Sequence, residues 1–593
     1  MMDDIYPRPQ FRRAGWMSLD GPWRFGFDNE MKFRTPRDVS DWPLTINVPF
    51  APESALSGIG DTGFHRACWY QREFNLPDDW RGSRILLHFG AVDWQARVWV
   101  NDLKVCEHQG GHTPFSADIT FALAAGPLQH IAVWAEDDPH DLEKPRGKQD
   151  WLLEPHGIWY PRTTGIWQTV WLECVSATYI QNIRWTPNLE HWDIGFDAYV
   201  VGSQPEGTSV SVCLHCQNRL LAEDTYYVTA GEVHRRIGLS DPGIDDFRNE
   251  MLWSPEHPTL IDAEIKLLRD GEVIDEIISY TALRSIGVQS ERILLNGRPY
   301  SLRLVLDQGY WPDSLMTAPD AKALRRDVEL AKAMGFNGVR KHQKIEDPRY
   351  MYWADVLGLM VCTEMPSTYR FTHKAISRLL AEWIEVIERD ISHPCVLIWV
   401  PFNESWDVPD LPSLSASQDA VQAFYHLTRS FDQTRLVIGN DGWESSATDI
   451  IGIHDYDADP DHIRARYGPG VKLQDFFDRR WTGGRILTLD GHPHRGQPVL
   501  LSEFGGVAFI RPDDERYNQG LGDIRIDDPE EFRKQIHAII EVVRCTAMLS
   551  GFCYTQFADT FQEANGLLFS DRTPKIALED IANAVRGEPH EQP

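Results

Sequence analysis

No stretch of the 593-residue chain approaches about 18 uninterrupted apolar residues, so nothing in it reads as a membrane-spanning helix. Positive charge is also short: 58 Lys and Arg stand against 88 Asp and Glu, a formal charge of −30. Such a surface repels nucleic acid and anionic membrane, so neither is expected as a partner. The nine cysteines are scattered and odd in number, which excludes a disulfide framework and fits a reducing compartment. Cys213 and Cys216, in CLHC, have metal-like spacing, but no second pair lies nearby and a strand with two ordinary cysteines is the simpler reading. The opening MMDDIYPRPQFRR has no apolar run behind it and does not read as a secretory signal, so a cytoplasmic location is expected. Internal repeats and low-complexity tracts are missing as well.

What is present is a globular composition, 42% hydrophobic and 25% charged, in a chain long enough for roughly two to four domains. Short alternating runs with turn residues between them, such as CWYQREFNL, SRILLHFGAV, QARVWVN, HIAVWAE and WQTVWLE, predict an N-terminal jelly-roll β-sandwich over residues 1–177. The 22 tryptophans fit packed sandwich cores or, alternatively, sugar-stacking surfaces. A second β segment with a plain hairpin at RDGEV predicts an immunoglobulin-like sandwich over 178–286. From 287 to 593 helical stretches alternate with single short strands, and eight such strands predict a (β/α)₈ TIM barrel. Its clearest helix keeps Ile376, Leu379, Leu380, Trp383, Ile384, Ile387 and Ile391 on one face.

Two of the barrel strands end alike. VLIWVPFNESW runs through apolar residues into Asn403-Glu404, and VLLSEFGG delivers Glu503. Strand C-termini form the mouth of such a barrel, so both carboxylates are expected there, facing one another. A facing pair suits glycoside hydrolysis: one protonated carboxyl donates to the glycosidic oxygen while an ionised one attacks the anomeric carbon. A separation of about 5 to 5.5 Å gives retention through a covalent glycosyl-enzyme. Asn403 is placed to bind the hydroxyl beside the reacting carbon. Either glutamate alone could equally pair with an arginine at the barrel rim.

The chain resembles glycoside hydrolase family 2, the group of β-galactosidases, β-glucuronidases and β-mannosidases. GPWRFGFD, WYQREFNLP, FGAVDWQARVWVN, GGHTPFSADIT and TTGIWQTVWLE are similar to its N-terminal sugar-binding jelly roll, and LNGRPYSLR to the lead-in to its barrel. GFNGVRKHQ, WADVLGLMVCTEMP, FNESW and SEFGG match further barrel motifs. The resemblance implies that Glu404 is the general acid/base and Glu503 the nucleophile. It also implies that Arg340 lies beneath the nucleophile, with a structural ion pair as the alternative, and that Tyr456 hydrogen-bonds the nucleophile. Glu364 takes the place of an acidic residue after the third strand. Family members often form dimers or tetramers, so a homo-oligomer is the implied assembly.

Three departures from the family pattern bear on substrate. NRHE after the first strand is replaced by LDQG, with Asp307 and Gln308, and SHYP by HQKI, with His342 and Gln343. Some of these four are expected to touch sugar, with Asp307 alternatively bracing its loop. The Asn-x-Lys motif that holds a uronate is replaced by Glu563 and Asn565, and an acidic side chain there opposes a second carboxylate by about 1 kcal/mol at 4 Å. Tyr554 is the candidate for the aromatic of the eighth strand. The expected activity is exo-hydrolysis of a neutral terminal sugar from an oligosaccharide or glycoside, β-D-galactosides first. β-Glucosides, β-mannosides, α-L-arabinopyranosides and, least favoured, β-glucuronides are the other substrates, and a non-catalytic carbohydrate-binding protein is the other class. The loop from Arg146 to Arg162 either narrows the mouth to one terminal residue or clamps the domains together. No metal or cofactor is expected, and His492 and His494 read as a surface turn.

Overall fold

The computed structural model describes residues 6–240, 250–481, 484–510 and 524–587. Its first unit is a sandwich of two antiparallel sheets. One sheet runs in the order Leu44–Val48, Gly21–Phe27, Ala67–Asn75, Leu128–Glu136, Gln95–Val100, Leu103–Gln109, and the other Trp16–Ser18, Val170–Val175, Arg84–Phe89, Phe115–Asp118. Alternate residues of both sheets, among them Trp23, Phe25, Tyr70, Leu87, Phe89, Val98, Val133 and Leu172, meet between them. Trp69, Trp99 and Trp134 bury the outer face of the larger sheet, so these tryptophans are core residues.

The second unit sets three strands, Tyr179–Asn188, Asp193–Val201 and Glu232–Gly238, against four, Arg219–Tyr227, Ser209–Cys216, Ile261–Arg269 and Glu272–Thr281. The RDGEV hairpin turns on Asp270 and Gly271, both at positive φ (53° and 87°), as a two-residue turn between right-twisted strands requires. Cys213 and Cys216 lie three apart on one strand, hence on opposite faces, and both thiols are free.

The third unit is a barrel of eight parallel strands: β1 (Leu302–Asp307), β2 (Gly338–Lys341), β3 (Met360–Glu364), β4 (Val396–Val400), β5 (Leu436–Val437), β6 (Ile451–Asp455), β7 (Val499–Gly505) and β8 (Leu549–Thr555). They are ordered β5-β4-β3-β2-β1-β8-β7-β6. Beyond that ladder, β5 and β6 are drawn together by Asp449 N to Val437 O at 2.8 Å and His454 N to Gly442 O at 3.1 Å. Every residue of β4 is buried, because helices cover the outer face and neighbouring side chains fill the interior.

The helix read around Ile376 is α1 (His373–Asp390), capped by Thr372, whose hydroxyl accepts from Ala375 N. Its buried face is rotated from the apolar reading: Glu382 and Asp390 are buried while Ile376, Leu380 and Ile384 are only half-buried. Burial there includes polar docking between units. Glu382 Oε1 accepts from His112 N of the first sandwich at 2.6 Å, and Thr113 donates to Glu385 at 2.5 Å.

Candidate active site

The mouth of the barrel is assembled around Arg340, which β2 carries to the inside where it is 2% exposed. Its guanidinium donates to Glu503 Oε1 (2.6 Å), Glu364 Oε2 (2.7 Å) and Asn403 Oδ1 (2.5 Å), and lies 3.3 Å from Asp441 Oδ2. Three carboxylates and one amide from four different strand ends are thus gathered on one planar cation. With its oxygen on Arg340, the Asn403 amide presents its nitrogen elsewhere.

Local backbone features aim the two glutamates. Past β4, Glu404 sits at φ 57°, a left-handed conformation that costs a non-glycine residue about 1–3 kcal/mol. It is held there by Glu404 N to Asp441 O (2.9 Å) and by Asn403 N to Asp407 Oδ2 (2.7 Å). Strand β7 bulges: Ile453 pairs with Leu501 but His454 with Glu503, so Ser502 is an extra residue. The bulge turns Ser502 and Glu503 both inward, where Ser502 Oγ donates to Asp441 Oδ1 at 2.7 Å. Gly452 admits that aspartate, since a Cβ on it would stand 1.7 Å from Asp441 Oδ1.

A carboxylate oxygen of Glu404 and one of Glu503 lie within 4.8 Å of each other, with a nitrogen of His454 inside the same distance. His454 Nδ1 is 2.6 Å from Glu404 Oε1, and its Nε2 is 3.5 Å from Glu503 Oε1. Tyr456 donates its hydroxyl to Glu503 Oε2. Burial opposes ionisation of Glu503, but His454, Arg340 and the Tyr456 hydrogen bond outweigh it and bring its pKa down to about 2. Burial likewise works against a charged His454, and Glu503, Asp441 and Glu404 together push it up to about 10. Glu364, beneath them, is raised by burial to about 7 despite Arg340. The arrangement therefore offers an ionised carboxylate on Arg340, a second carboxyl group hydrogen-bonded to a histidine, and a gap between them.

The other expected site residues divide. His342, 4% exposed, sets Nδ1 2.8 Å from Glu364 Oε1 and faces the mouth, and burial lowers its pKa so that the ring is neutral. Glu364 is wholly buried and holds Arg340 and His342 in place of a sugar. Asp307 is corrected to its alternative role: it accepts from Gly309 N (2.8 Å) and Lys341 Nζ (2.7 Å) on the outer side of the barrel, where Lys341 also meets Glu346. Gln343 turns its carbonyl to Ser367 Oγ at 2.7 Å and so braces the loop after β3. Tyr554 is also corrected. The pleat of β8 sends it outward, fully buried with its ring 5.5 Å from Phe504, and gives the following position to Thr555 beside Tyr456. His454 and Asp441 were not singled out from sequence, although both follow the rule that strand ends carry the site.

One wall of the mouth comes from the first sandwich. Arg146 N donates to Ser367 O (2.8 Å), Tyr369 OH to Gly147 O (2.8 Å), and Gln562 Nε2 to Trp159 O (2.7 Å), tying the 146–162 loop to the loops after β3 and β8. Tyr160 of this loop donates to Glu563, and Gln556 links Asn565 (2.8 Å) to Gln308 (3.0 Å). Glu563 and Asn565 thus stand together in that wall, and Glu563 is raised by burial with Lys148 drawing it the other way.

Elsewhere among the described residues, Asp355, His393 and Cys395 bring ligand-type atoms together. They are engaged in hydrogen bonds, His393 Nδ1 to Asp355 Oδ2 at 2.6 Å and Cys395 N to Asp355 Oδ1 at 2.7 Å. His494 Nε2 lies 2.9 Å from Gln497 O within its own turn. No described helix is long and apolar enough to cross a membrane.

A parallel eightfold barrel with two opposed glutamates at its mouth, preceded by two β-sandwiches, is an architecture of glycoside-cleaving enzymes. The chain belongs to glycosyl hydrolases family 2: the family's sugar binding domain matches residues 38–140, the domain that carries the family name alone 178–284, and its TIM barrel domain 286–467. A β-galactosidase of Thermoanaerobacter pseudethanolicus is 26% identical over 353 residues, which are 58% of this chain and 45% of that enzyme. A β-glucuronidase of Mus musculus is 27% identical over 542 residues, 83% of this chain and 78% of the relative. Among solved structures, the β-glucuronidase of Ruminococcus gnavus superimposes with a TM-score of 0.74 at 20% identity, covering 98% of this chain and 99% of that one. The β-D-glucuronidase of Dictyoglomus thermophilum gives 0.75 with the same coverage.

Proposed function

We propose that the protein is a retaining exo-β-glycosidase that removes a neutral terminal sugar, β-D-galactosides foremost, by double displacement. Glu503 is the nucleophile and Glu404 the acid/base. The observation that carries the reading is the approach of their carboxylate oxygens to within 4.8 Å, with Glu503 ionised on Arg340. So close an approach suits a retaining pair, whose carboxyl groups stand about 5–5.5 Å apart, better than an inverting pair at about 6.5–9.5 Å. Exo action is supported by the 146–162 loop, whose ties to Ser367 and Gln562 wall one side of the mouth. A neutral sugar is favoured by Glu563, which stands where a uronate-holding enzyme of the family has its Asn-x-Lys motif, and the Thermoanaerobacter relative is a β-galactosidase.

A second reading, hydrolysis of a β-glucuronide, draws on the mouse and Ruminococcus relatives and on Lys148, a buried cation near Glu563. A panel of p-nitrophenyl glycosides tests both. Turnover of the galactoside with none of the glucuronide is the expected result. Turnover of the glucuronide alone replaces the first reading with the second, and turnover of none returns the chain to carbohydrate binding.

A further inference from the structure

The double displacement leaves His454 without a task, yet the fold makes room for it. Gly442, at φ 90°, passes so close that a Cβ on it would stand 2.4 Å from the imidazole. The bulge at Ser502 brings Glu503 level with His454 across β6 and β7. The ring is wholly inside the site: Nδ1 is on Glu404 Oε1 at 2.6 Å, while buried Nε2 makes no hydrogen bond and lies 3.5 Å from Glu503 Oε1 and 3.9 Å from Asp441 Oδ2. One imidazole therefore touches the carboxyl that must give a proton and faces the carboxylate that must attack.

Resting on the reading above, we propose that His454 is a positioning residue that stores the acid proton of Glu404, and that the charge on Glu503 decides whether the pair keeps or releases it. In the free enzyme one proton is shared between Nδ1 and Oε1. During glycosylation Glu503 bonds to the anomeric carbon, and the glycosidic C–O bond breaks with its electron pair on the leaving oxygen. That oxygen takes the one shared proton by way of Glu404, which draws it from Nδ1 as the C–O bond breaks, leaving a neutral imidazole and a carboxylate. In deglycosylation water attacks the same carbon, its proton passes to Glu404 and on to His454, and the ester bond breaks to restore ionised Glu503. Atoms and charge balance over the cycle without another reactant.

Electrostatics supports the alternation. The groups facing His454 are Glu404 beyond β4, Asp441 beyond β5, Glu503 on β7, Arg340 on β2 and neutral His342 after it. In the free enzyme the carboxylates dominate and push the imidazole up to about 10. Esterification deletes the Glu503 charge and leaves Arg340 in place, so the pair then holds its proton less tightly and becomes a base when one is needed.

The test compares His454→Asn, which keeps an N–H near the Nδ1 position but cannot take up a further proton, with wild type. The alkaline limb of kcat/KM on aryl glycosides is expected to move down by about one pH unit or more, because an imidazole retains its proton to higher pH than a carboxyl. The loss should deepen as the phenol becomes a poorer leaving group. An unmoved alkaline limb in a folded His454→Asn protein overturns the proposal. Wild type supplies a second measurement: trap the enzyme at pH 8 with the 2,4-dinitrophenyl 2-deoxy-2-fluoro glycoside of the sugar selected by the panel. A dye should then read about one proton released per ester counted by intact mass. Ester without proton release overturns the role of His454 alone, and no ester with any sugar sinks the nucleophile assignment together with it.

Discussion

Tyr160, on a loop of the first sandwich, donates its phenolic hydrogen to Glu563, on the loop after the last barrel strand. This wall of the barrel mouth is therefore completed by a residue about 400 positions away in sequence from its partner, and both groups are buried. Tyr160→Phe leaves Glu563 short of a donor at a cost of about 1–2 kcal/mol. If the wall contacts the terminal sugar, that appears as a rise in KM on the order of tenfold with kcat little changed. Steady-state kinetics on the best nitrophenyl glycoside checks it, and a fall in kcat alone would count against the placement.

Glu503→Gln removes the attacking group while keeping the shape of the side chain. Turnover of every glycoside should drop by at least about ten-thousandfold, because no covalent intermediate can form. Glu404→Gln should behave differently. Dinitrophenyl glycosides still react with Glu503 in a single turnover, but the intermediate then persists for want of a base. Single-turnover rates across a series of phenols separate the two variants, and equal loss on good and poor leaving groups would remove Glu404 from the acid role.

How far the sequence carried the fold depends on what each level of order requires. Sandwiches and barrel were legible because pleats and helical faces write period two and period 3.6 directly into the apolar pattern. Asn403, Glu404 and Glu503 were legible because apolar stems such as VLIWV deliver them to strand ends. His454 and Asp441 were hidden in GIHDY and VIGND, ordinary five-residue strand ends until the bulge at Ser502 and the clearances at Gly442 and Gly452 are known. Asp307 and Tyr554 were misplaced for a related reason: a strand-end position one residue off points outward, and sequence alone leaves that parity open. Glu382 was missed because its partner, the backbone of His112, belongs to another unit.

Arg340 binds Glu503, Glu364 and Asn403 at once, so its replacement tests stability and chemistry together. Arg340→Met leaves buried carboxylates without their cation, a loss of about 3–5 kcal/mol for the barrel. Arg340→Lys retains charge but offers a single point in place of a planar fork, so it should recover stability better than activity. Thermal melting beside kcat/KM measures both. A variant Arg340→Met as stable as wild type would show that the cluster is held by other means.

Glu53 gives a pH dependence with a definite sign. It is buried where the first sandwich meets the 146–162 loop, Oε2 accepts from Thr164 N at 3.1 Å, and Oε1 has no hydrogen-bond partner. Burial raises its pKa from 4.5 to about 7, with Arg162 pulling the other way. A carboxyl that binds its proton more tightly in the folded state stabilises the fold fully below its unfolded pKa, and that share is lost as pH rises through the folded value. Between pH 4.5 and 7 the wild type should thus give up a few kcal/mol at this site. Glu53→Gln, neutral at every pH, should melt close to wild type at pH 5 and above it at pH 8. A melting difference that stays constant across that range would mean that Glu53 is ionised in the folded protein throughout, with Arg162 prevailing over burial.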